Sequence, residues 1–246
     1  MAINFNEKLS EHFTIGEFFS PSNYTNVKNK STGKYYTAAE AEAVLGGKVV
    51  VDAKLVKLLE AMRSELHDKY GSVKIVINPH GGYRPTVLNK AVGGATGSQH
   101  RYGRAADFSV VFPNGSKMPA AELAVFTERF MSKNGYKGGV GMYDADDTFI
   151  HVDVRGSNVH WYDSYSSAGC PGQGGIPCVY RAGTKGAGVV LIQQKLKELK
   201  YYSGVTDGKY GAKTAAAIKN FQKDAGLTPD GIYGKGTNVK LGALPW

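Results

Sequence analysis

The chain has 246 residues, of which 42% are hydrophobic, and a formal net charge of +9. This length allows one large domain or two smaller domains, each with its own core. No apolar run approaches the roughly 18 to 20 residues that cross a bilayer, so we expect no membrane partner, and two cysteines are too few for a disulfide scaffold or a cysteine-rich zinc site.

The first part of the chain carries two helix patterns and one strand pattern. The stretch "SEHFTIGEFF" indicates a short helix with Ser10 or Thr14 as its N-cap. The stretch "DAKLVKLLEAMRSELHDKYG" has apolar residues at helical spacing, so it predicts a long helix that Asp52 caps and Gly71 ends. The β-branched run "VKIVIN" that follows is typical of a strand.

Two later stretches complete this region. "AAELAVFTERFMSKNGY" predicts a second amphipathic helix, and "DTFIHVDVRG" alternates as a strand does, with His151 and Asp153 on one face. Strands mixed with long helices, without a regular βαβ alternation, indicate an α+β fold. We therefore predict that residues 1–163 form one domain with a small antiparallel sheet flanked by helices.

Residues 164–185 are dense in Gly, Ser and Pro and show no sustained periodicity, which predicts a linker. Cys170 and Cys178 lie within it. Two alternatives stay open for them: a disulfide bond in an oxidising environment, or two unpaired thiols.

The last segment, residues 186–246, contains an internal repeat. "DGKYGAKT" and "DGIYGKGT" share the pattern D-G-x-Y-G-x-x-T, displaced by 23 residues. Each copy predicts a tight Asp-Gly turn followed by a Thr cap, Thr214 or Thr237, that starts a helix. Together with two amphipathic stretches, the repeat predicts a small all-α domain of three helices. From Lys185 onward there are ten lysines against four acidic residues, and this charge favours a polyanionic partner.

The stretch "GSQHRYGRAADFSV" places His100 and Asp107 seven residues apart. The two side chains can converge if "RYG" turns the chain and Asp107 lies on the first residues of a strand. His151 is then a candidate third ligand for zinc, which takes three protein ligands in catalytic sites. On spacing alone, a metal site and purely structural roles for these residues both stay open.

The surrounding motifs resemble a known family. "SQHRYGRAAD" is similar to the S-x-H-x-x-G-x-A-x-D signature of the zinc D-alanyl-D-alanine carboxypeptidases and L-alanyl-D-glutamate endopeptidases. "LSEHFTIGEFF", "GGYRPTVLNKAVGGATGSQH" and "GVGMYDADDTFIHVDVRG" resemble further elements of that family, in its order and spacing. The resemblance covers most of residues 9–156.

The resemblance implies zinc as the cofactor and His100, Asp107 and His151 as its ligands. It also implies that Arg84, in "GGYRP", contacts the substrate and stabilises charge.

The general base is less directly implied. Many members of the family carry Glu or Asp three residues before the last histidine, where this chain has Thr148. The first candidate for the base is therefore Asp153, two residues beyond His151, and the second is Asp147.

The C-terminal segment resembles the small three-helix peptidoglycan-binding domain of cell-wall hydrolases. The two resemblances together imply a zinc metallopeptidase of the bacteriophage endolysin type, either a carboxypeptidase or an endopeptidase. Such an enzyme hydrolyses an amide bond of the stem peptide or cross-link while its small domain tethers it to bacterial peptidoglycan. The alternative is a non-catalytic protein that only binds the cell wall.

Three expectations concern partners and location. We expect no nucleic-acid partner, because the chain has no basic helix, zinc-finger spacing or aromatic RNA-binding motif. The start "MAINFNEKLSEHF" lacks the pattern of a secretory signal, so we expect the protein in the host cytoplasm until lysis and at the cell wall afterwards. We expect it to act as a monomer.

Overall fold

The computed structural model describes residues 3–143, 148–162, 165, 166 and 179–244. In chain order, its helices and strands are α1 Ile15–Phe18, α2 Ala38–Ala43, α3 Ala53–Tyr70, β1 Lys74–Ile77, α4 Thr86–Ala91, β2 Ala105–Val111, α5 Ala120–Lys133, β3 Gly139–Met142, β4 Ile150–Asp153, β5 Val159–Tyr162, β6 Tyr165–Ser166, α6 Ala187–Glu198, α7 Ala212–Asp224 and α8 Lys235–Leu241. Short 3-10 turns occur at Pro21–Tyr24 and Gln99–Tyr102. None of the helices in the described ranges is long and apolar enough to cross a membrane.

Helix α3 confirms the strongest helix prediction. The Asp52 carboxylate accepts a hydrogen bond from the Lys54 amide at 2.9 Å, and Gly71 ends the helix with a φ of 80°, a left-handed value that glycine adopts without strain. The apolar face of the helix is fully buried and consists of Leu55, Leu58, Leu59, Met62 and Leu66. Burying a side chain of this size contributes about 1.5 to 3 kcal/mol, so this face is a major anchor of the surrounding fold.

The structure divides into two compact units, of which the first contains Met1–Lys117 and His151–Arg155. Within it, strands β1, β2 and β4 lie side by side in that order. β1 and β2 are antiparallel, with Ile77 opposite Phe108. β4 is buried throughout and β2 is buried except at its last residue. Polar side chains on these two strands are therefore shielded from water.

The second unit contains Met118–Ile150 and Gly156–Trp246. Here β3, β5 and β6 lie side by side in that order, with β3 parallel to β5 and β5 antiparallel to β6. The predicted α+β class is confirmed. The parallel pair departs from the antiparallel sheet that we expected, because β4 intervenes between β3 and β5 in the sequence. Helix α5 packs against α6 and adds Val125 to the C-terminal core.

The repeated turns of the C-terminal helices are each held by a buried glutamine. The Gln193 amide donates to Asp207 Oδ1 at 2.9 Å and to the Lys209 carbonyl at 3.1 Å, while its oxygen accepts the Gly208 amide at 2.9 Å. A side-chain amide that satisfies buried backbone groups in this way fixes the turn.

The second turn repeats this arrangement. Gln222 donates to Asp230 Oδ1 at 2.8 Å and to the Ile232 carbonyl at 3.0 Å, and it accepts the Gly231 amide at 2.9 Å. The sequence repeat is therefore also a structural repeat, in which a helix, a glutamine-held turn and the next helix form the unit.

The predicted threonine caps are wrong. Helices α7 and α8 begin with Gly211 and Gly234 as their N-caps, and Thr214 and Thr237 lie one turn inside. Each threonine hydroxyl instead accepts a hydrogen bond at 3.1 Å from the glutamine amide of its own repeat. The hydroxyl is used to complete the buried network around the turn, which the sequence pattern alone did not distinguish from a cap.

Residues 180–185, which we assigned to the linker, pack with the C-terminal helices. Tyr180 is 2% exposed, and its backbone amide and carbonyl pair with those of Tyr233 at 2.9 and 2.8 Å. Tyr202, Tyr210 and Tyr233 of this segment are also buried, so these rings pack inside the C-terminal core. Cys170 and Cys178 lie outside the described residues.

Candidate metal centre

A turn and a strand bring the two residues of the "HRYGRAAD" motif together. His100 is on the 3-10 turn Gln99–Tyr102 and is 1% exposed. Gly103 follows with a φ of 65°, and a Cβ at this position would lie 2.1 Å from the Val50 carbonyl oxygen, so only glycine lets the chain turn here. The chain then enters β2, whose third residue, Asp107, is also buried.

Three potential metal ligands converge in the first unit. His100 Nε2 lies 3.1 Å from His151 Nδ1 and 3.2 Å from Asp107 Oδ1, and His151 Nδ1 lies 2.9 Å from Asp107 Oδ1. We call these three atoms the donor cluster. His151 reaches it from β4, the neighbour of β2 in the sheet. Among the described residues, this is the group of histidines, cysteines and carboxylates that could hold a metal ion.

Hydrogen bonds on the outer nitrogens turn the inner nitrogens into acceptors. His100 Nδ1 is 2.8 Å from the Gly82 carbonyl oxygen, and His151 Nε2 is 3.1 Å from Asp153 Oδ2. Both of these oxygens can only accept, so each neutral ring donates its outer N–H and presents a lone pair inward. Three lone pairs that face one another at about 3 Å repel, and a cation at their centre removes that repulsion.

The donor cluster fits zinc. Tetrahedral zinc has bonds to histidine nitrogen and carboxylate oxygen of about 2.0 to 2.1 Å, which places two ligand atoms about 3.3 Å apart. The three separations of the donor cluster, 2.9, 3.1 and 3.2 Å, are close to one face of such a tetrahedron. Three protein ligands also leave the fourth position for water or substrate, as in catalytic sites.

The electrostatics of the cluster favour an ionised carboxylate. Burial alone would raise the pKa of Asp107. The attraction of His100 and hydrogen bonds with His100 and His151, which form when a ring carries a proton on its inner nitrogen, outweigh burial and hold that pKa far below the usual range. Burial lowers the pKa of His100, and the nearby Asp107 only partly offsets this. For His151, burial also acts downward, but hydrogen bonds with Asp107 and Asp153 raise its pKa. Without metal, a proton on His151 can therefore occupy the place of the cation.

Arg84 lies beside the donor cluster. Its Nη1 donates to the His80 carbonyl at 2.6 Å and is 3.4 Å from Asp107 Oδ2. The side chain is 12% exposed, and its buried Nε has no hydrogen-bond partner. The structure thus brings a fixed positive charge next to a candidate metal ligand, which is the property that the predicted role of Arg84 requires.

The "GGYR" loop supports both ligands of the motif, and sequence reasoning missed the part that Gly81 and Gly82 play. The Gly81 carbonyl accepts the Asp107 amide at 2.7 Å, and the Gly82 carbonyl accepts from His100 at 2.8 Å. A Cβ on Gly82 would lie 2.0 Å from the Phe18 carbonyl oxygen. The consecutive glycines were the available signal, because they mark a place where backbone approaches backbone.

Of the two candidate bases, Asp153 is among the described residues. Asp153 is 0% exposed, contacts His151 and accepts several hydrogen bonds from Arg155, a residue that sequence reasoning did not single out. Burial would raise the pKa of Asp153, but the hydrogen bonds with His151 and Arg155 lower it well below its usual range. Asp147 lies outside the described residues.

Comparison with known families agrees with both resemblances. The Peptidase M15 family model matches residues 29–153, just over half of the chain, and a peptidoglycan binding domain model matches residues 185–241. The first match includes every ligand of the donor cluster.

Curated relatives and solved structures match shorter stretches. The N-acetylmuramoyl-L-alanine amidase CwlL of Bacillus licheniformis is 48% identical over 67 residues, which is 24% of this chain and 18% of that protein. The spore cortex-lytic enzyme of Oceanobacillus iheyensis is 38% identical over 63 residues, 26% of this chain and 23% of that protein. The chain thus spans about a fifth of the length of the curated relatives it matches. Among solved structures, the SleB N-terminal domain is 38% identical in sequence to the part of this chain that it matches. The match covers 26% of this chain and 86% of the SleB chain, with a TM-score of 0.25.

Proposed function

Because the chain belongs to the Peptidase M15 family, we propose that it is a zinc-dependent peptidoglycan peptidase that hydrolyses an amide bond of the stem peptide or cross-link. The observation that carries this proposal is the donor cluster, in which two imidazole nitrogens and one carboxylate oxygen converge within hydrogen-bond distance of one another. A protein that only binds the cell wall has no need of three buried, mutually facing lone pairs.

The proposed chemistry divides between the metal and the chain. A zinc ion bound there would supply Lewis-acid chemistry for the scissile carbonyl and for the attacking water. His100, Asp107 and His151 would hold the ion, and their single negative charge would leave the site with a net charge of about +1. Arg84, fixed by the His80 carbonyl, provides a second positive charge for the oxyanion that develops on the substrate or for a free carboxylate of the stem peptide.

The attacking water also needs a proton acceptor. From the sequence we placed Asp153 first and Asp147 second in this role. Both oxygens of Asp153 already accept hydrogen bonds, from His151 and from Arg155. Asp147 therefore keeps its place as the remaining sequence candidate for the base.

The C-terminal helices supply the proposed tether. The peptidoglycan binding domain match at residues 185–241 supports bacterial peptidoglycan as the partner, and an excess of lysines over acidic residues in this segment suits an anionic wall. A tether raises the local concentration of substrate at the metal centre without any new catalytic contact. We expect no part for nucleic acid or membrane, and a monomer suffices because every ligand of the donor cluster comes from one chain.

The setting that we propose is a bacteriophage endolysin, held in the host cytoplasm until lysis and then acting on the cell wall. Expression of the chain in a susceptible host tests this part. We expect culture turbidity to fall only after the membrane is permeabilised from outside, and lysis without permeabilisation would contradict the proposed location.

The decisive test is release of new amino termini from purified sacculi, with zinc content measured on the same protein. We expect about one zinc per wild-type chain and free amines in the digest. The His151→Ala variant is expected to lose both. The matched control is His67→Ala, because His67 is an exposed histidine on α3.

Each outcome of this test has a meaning. The residue at the new amino terminus identifies the bond that is cut and separates a carboxypeptidase from an endopeptidase. New reducing sugars without new amines indicate a glycosidase and overturn the proposal. Binding of sacculi by a wild type that holds no metal and releases nothing supports the alternative, a non-catalytic cell-wall-binding protein.

A further inference from the structure

We propose that Asp153 and Arg155 are positioning residues that hold the His151 ring for metal binding, and that Asp153 is not the proton acceptor of the reaction. This inference rests on the proposed function, because it concerns the same metal centre. It assigns a role to Arg155 and changes the role that the sequence suggested for Asp153.

The two ring nitrogens of His151 face different partners. Its Nδ1 faces the donor cluster, 3.1 Å from His100 Nε2 and 2.9 Å from Asp107 Oδ1. Its Nε2, on another edge of the ring, is 3.1 Å from Asp153 Oδ2. The imidazole therefore lies between the donor cluster and Asp153.

The Asp153 carboxylate has no free lone pair. Its Oδ1 accepts from the Arg155 backbone amide at 3.0 Å and from Arg155 Nε at 2.9 Å. Its Oδ2 accepts from His151 Nε2 at 3.1 Å, from Arg155 Nε at 2.9 Å and from Arg155 Nη2. A carboxylate offers about four lone-pair directions, and these contacts occupy them.

The Asp153 carboxylate is also buried. The Asp153 side chain is 0% exposed, whereas a general base must come within hydrogen-bond reach of the water that it deprotonates. Neither solvent nor substrate reaches an oxygen of Asp153 in this arrangement, so the residue acts on the reaction only through His151.

Arg155 holds the Asp153 carboxylate in place. Its Nε lies 2.9 Å from each oxygen of the Asp153 carboxylate, and its Nη2 also donates to Oδ2. Such a fork fixes the plane of a carboxylate as well as balancing its charge. A fixed carboxylate in turn fixes the ring angle and tautomer of the histidine, so that the Nδ1 lone pair points at the metal.

His151, Asp153 and Arg155 lie within the five residues "HVDVR". His151 and Asp153 are two residues apart on β4, so their side chains lie on the same face of the strand, and Arg155 follows in a bend just after the strand. One stretch of five residues thus provides the ligand, the group that orients it and the group that orients the carboxylate.

The test compares Asp153→Asn, Arg155→Ala and Arg155→Lys with the control Arg104→Ala. Arg104 also pairs with a carboxylate, Asp52, at 3.5 Å, but its side chain is half exposed. Three quantities are measured on the full chain: zinc affinity by competition with a chromophoric chelator, the visible spectrum of the Co²⁺-loaded protein, and hydrolysis of sacculi at saturating zinc.

We expect Asp153→Asn and Arg155→Ala to weaken zinc binding by about 10- to 100-fold and to shift the Co²⁺ bands. Arg155→Lys keeps the charge but not the fork, so its loss should be smaller. Arg104→Ala should match the wild type. Saturating zinc should restore part of the hydrolysis by Asp153→Asn, because the variant retains all three ligands.

The opposite pattern overturns the inference. If Asp153→Asn abolishes hydrolysis at saturating zinc while zinc affinity and the Co²⁺ spectrum stay those of the wild type, Asp153 is the base. If Asp153→Asn does not fold, the Arg155 variants decide, and wild-type zinc affinity in both overturns the inference. A wild type that binds zinc and cleaves sacculi beside such variants leaves the proposed function standing, whereas a wild type without zinc overturns both.

Discussion

Gly82→Ala tests whether the metal centre depends on a close approach of two backbone segments. The added Cβ would lie 2.0 Å from the Phe18 carbonyl oxygen, 2.5 Å from its Cα and 2.6 Å from its carbonyl carbon, where real Cβ contacts essentially never fall below 3.0 Å. These are backbone atoms of a residue that is 2% exposed, so they cannot give way as the end of a side chain can. The loop must therefore move by about 1 Å.

The displacement has a cost in stability and in metal binding. Overpacking of a core costs about 1 to 3 kcal/mol, and a clash with backbone belongs at the upper end, about 3 kcal/mol. At about 2 to 4 °C per kcal/mol for a chain of this size, the Tm should fall by about 6 to 12 °C. The Gly82 carbonyl also loses its 2.8 Å contact with His100 Nδ1, so zinc affinity should fall about 10- to 100-fold.

The assay is thermal unfolding of the metal-free protein together with zinc titration against a chelator. Gly97→Ala is the control, because Gly97 belongs to the same motif, has no heavy atom within 4 Å of its added Cβ and has no positive φ. Wild-type Tm and zinc affinity in Gly82→Ala, equal to those of the control, would refute the reasoning from the close approach.

Two further predictions concern protons and the C-terminal repeat. Because the pKa of His151 is raised and that of Asp107 is held low, protons compete with zinc mainly at His151 as the pH falls. Zinc affinity should therefore drop about tenfold per pH unit below that raised pKa, and chelator titrations that show no pH dependence between about pH 8 and about pH 5 would contradict the ligand assignment. Gln222→Leu leaves the buried Gly231 amide without its partner, so the C-terminal helices should lose about 1 to 3 kcal/mol in denaturant unfolding, whereas the exposed Gln194 should tolerate the same change.

Much of the fold was predictable from local patterns. Helix α3 follows from its apolar spacing, its Asp52 cap and its Gly71 end, since all three act within the helix itself. The threonine caps were wrong for the opposite reason. A cap and a buried network use the same hydroxyl, and the partner that decides between them, Gln193, lies 21 residues before Thr214.

The sequence also predicted one part of the candidate site and not another. The motif "SQHRYGRAAD" and the strand "FIHVDV" identified all three members of the donor cluster, because their residue types and their resemblance to a family are properties of the sequence. The role of Asp153 depended on which nitrogen of His151 faces inward, and no sequence pattern contains that orientation.

The sequence by itself determined which residues are available: an α+β region with two histidines and an aspartate in a family motif, and a repeat that forms three helices. Only the tertiary structure decided how they meet. It placed β2 beside β4, brought the Gly82 carbonyl to His100 and buried Asp153 behind His151. The physical reason is that the strand pairing and the contact between Gly82 and His100 join residues distant in the chain, and that the His151 ring is oriented by His100 and Asp107, which are 51 and 44 residues away. Packing of the whole core sets these separations, and no local preference does.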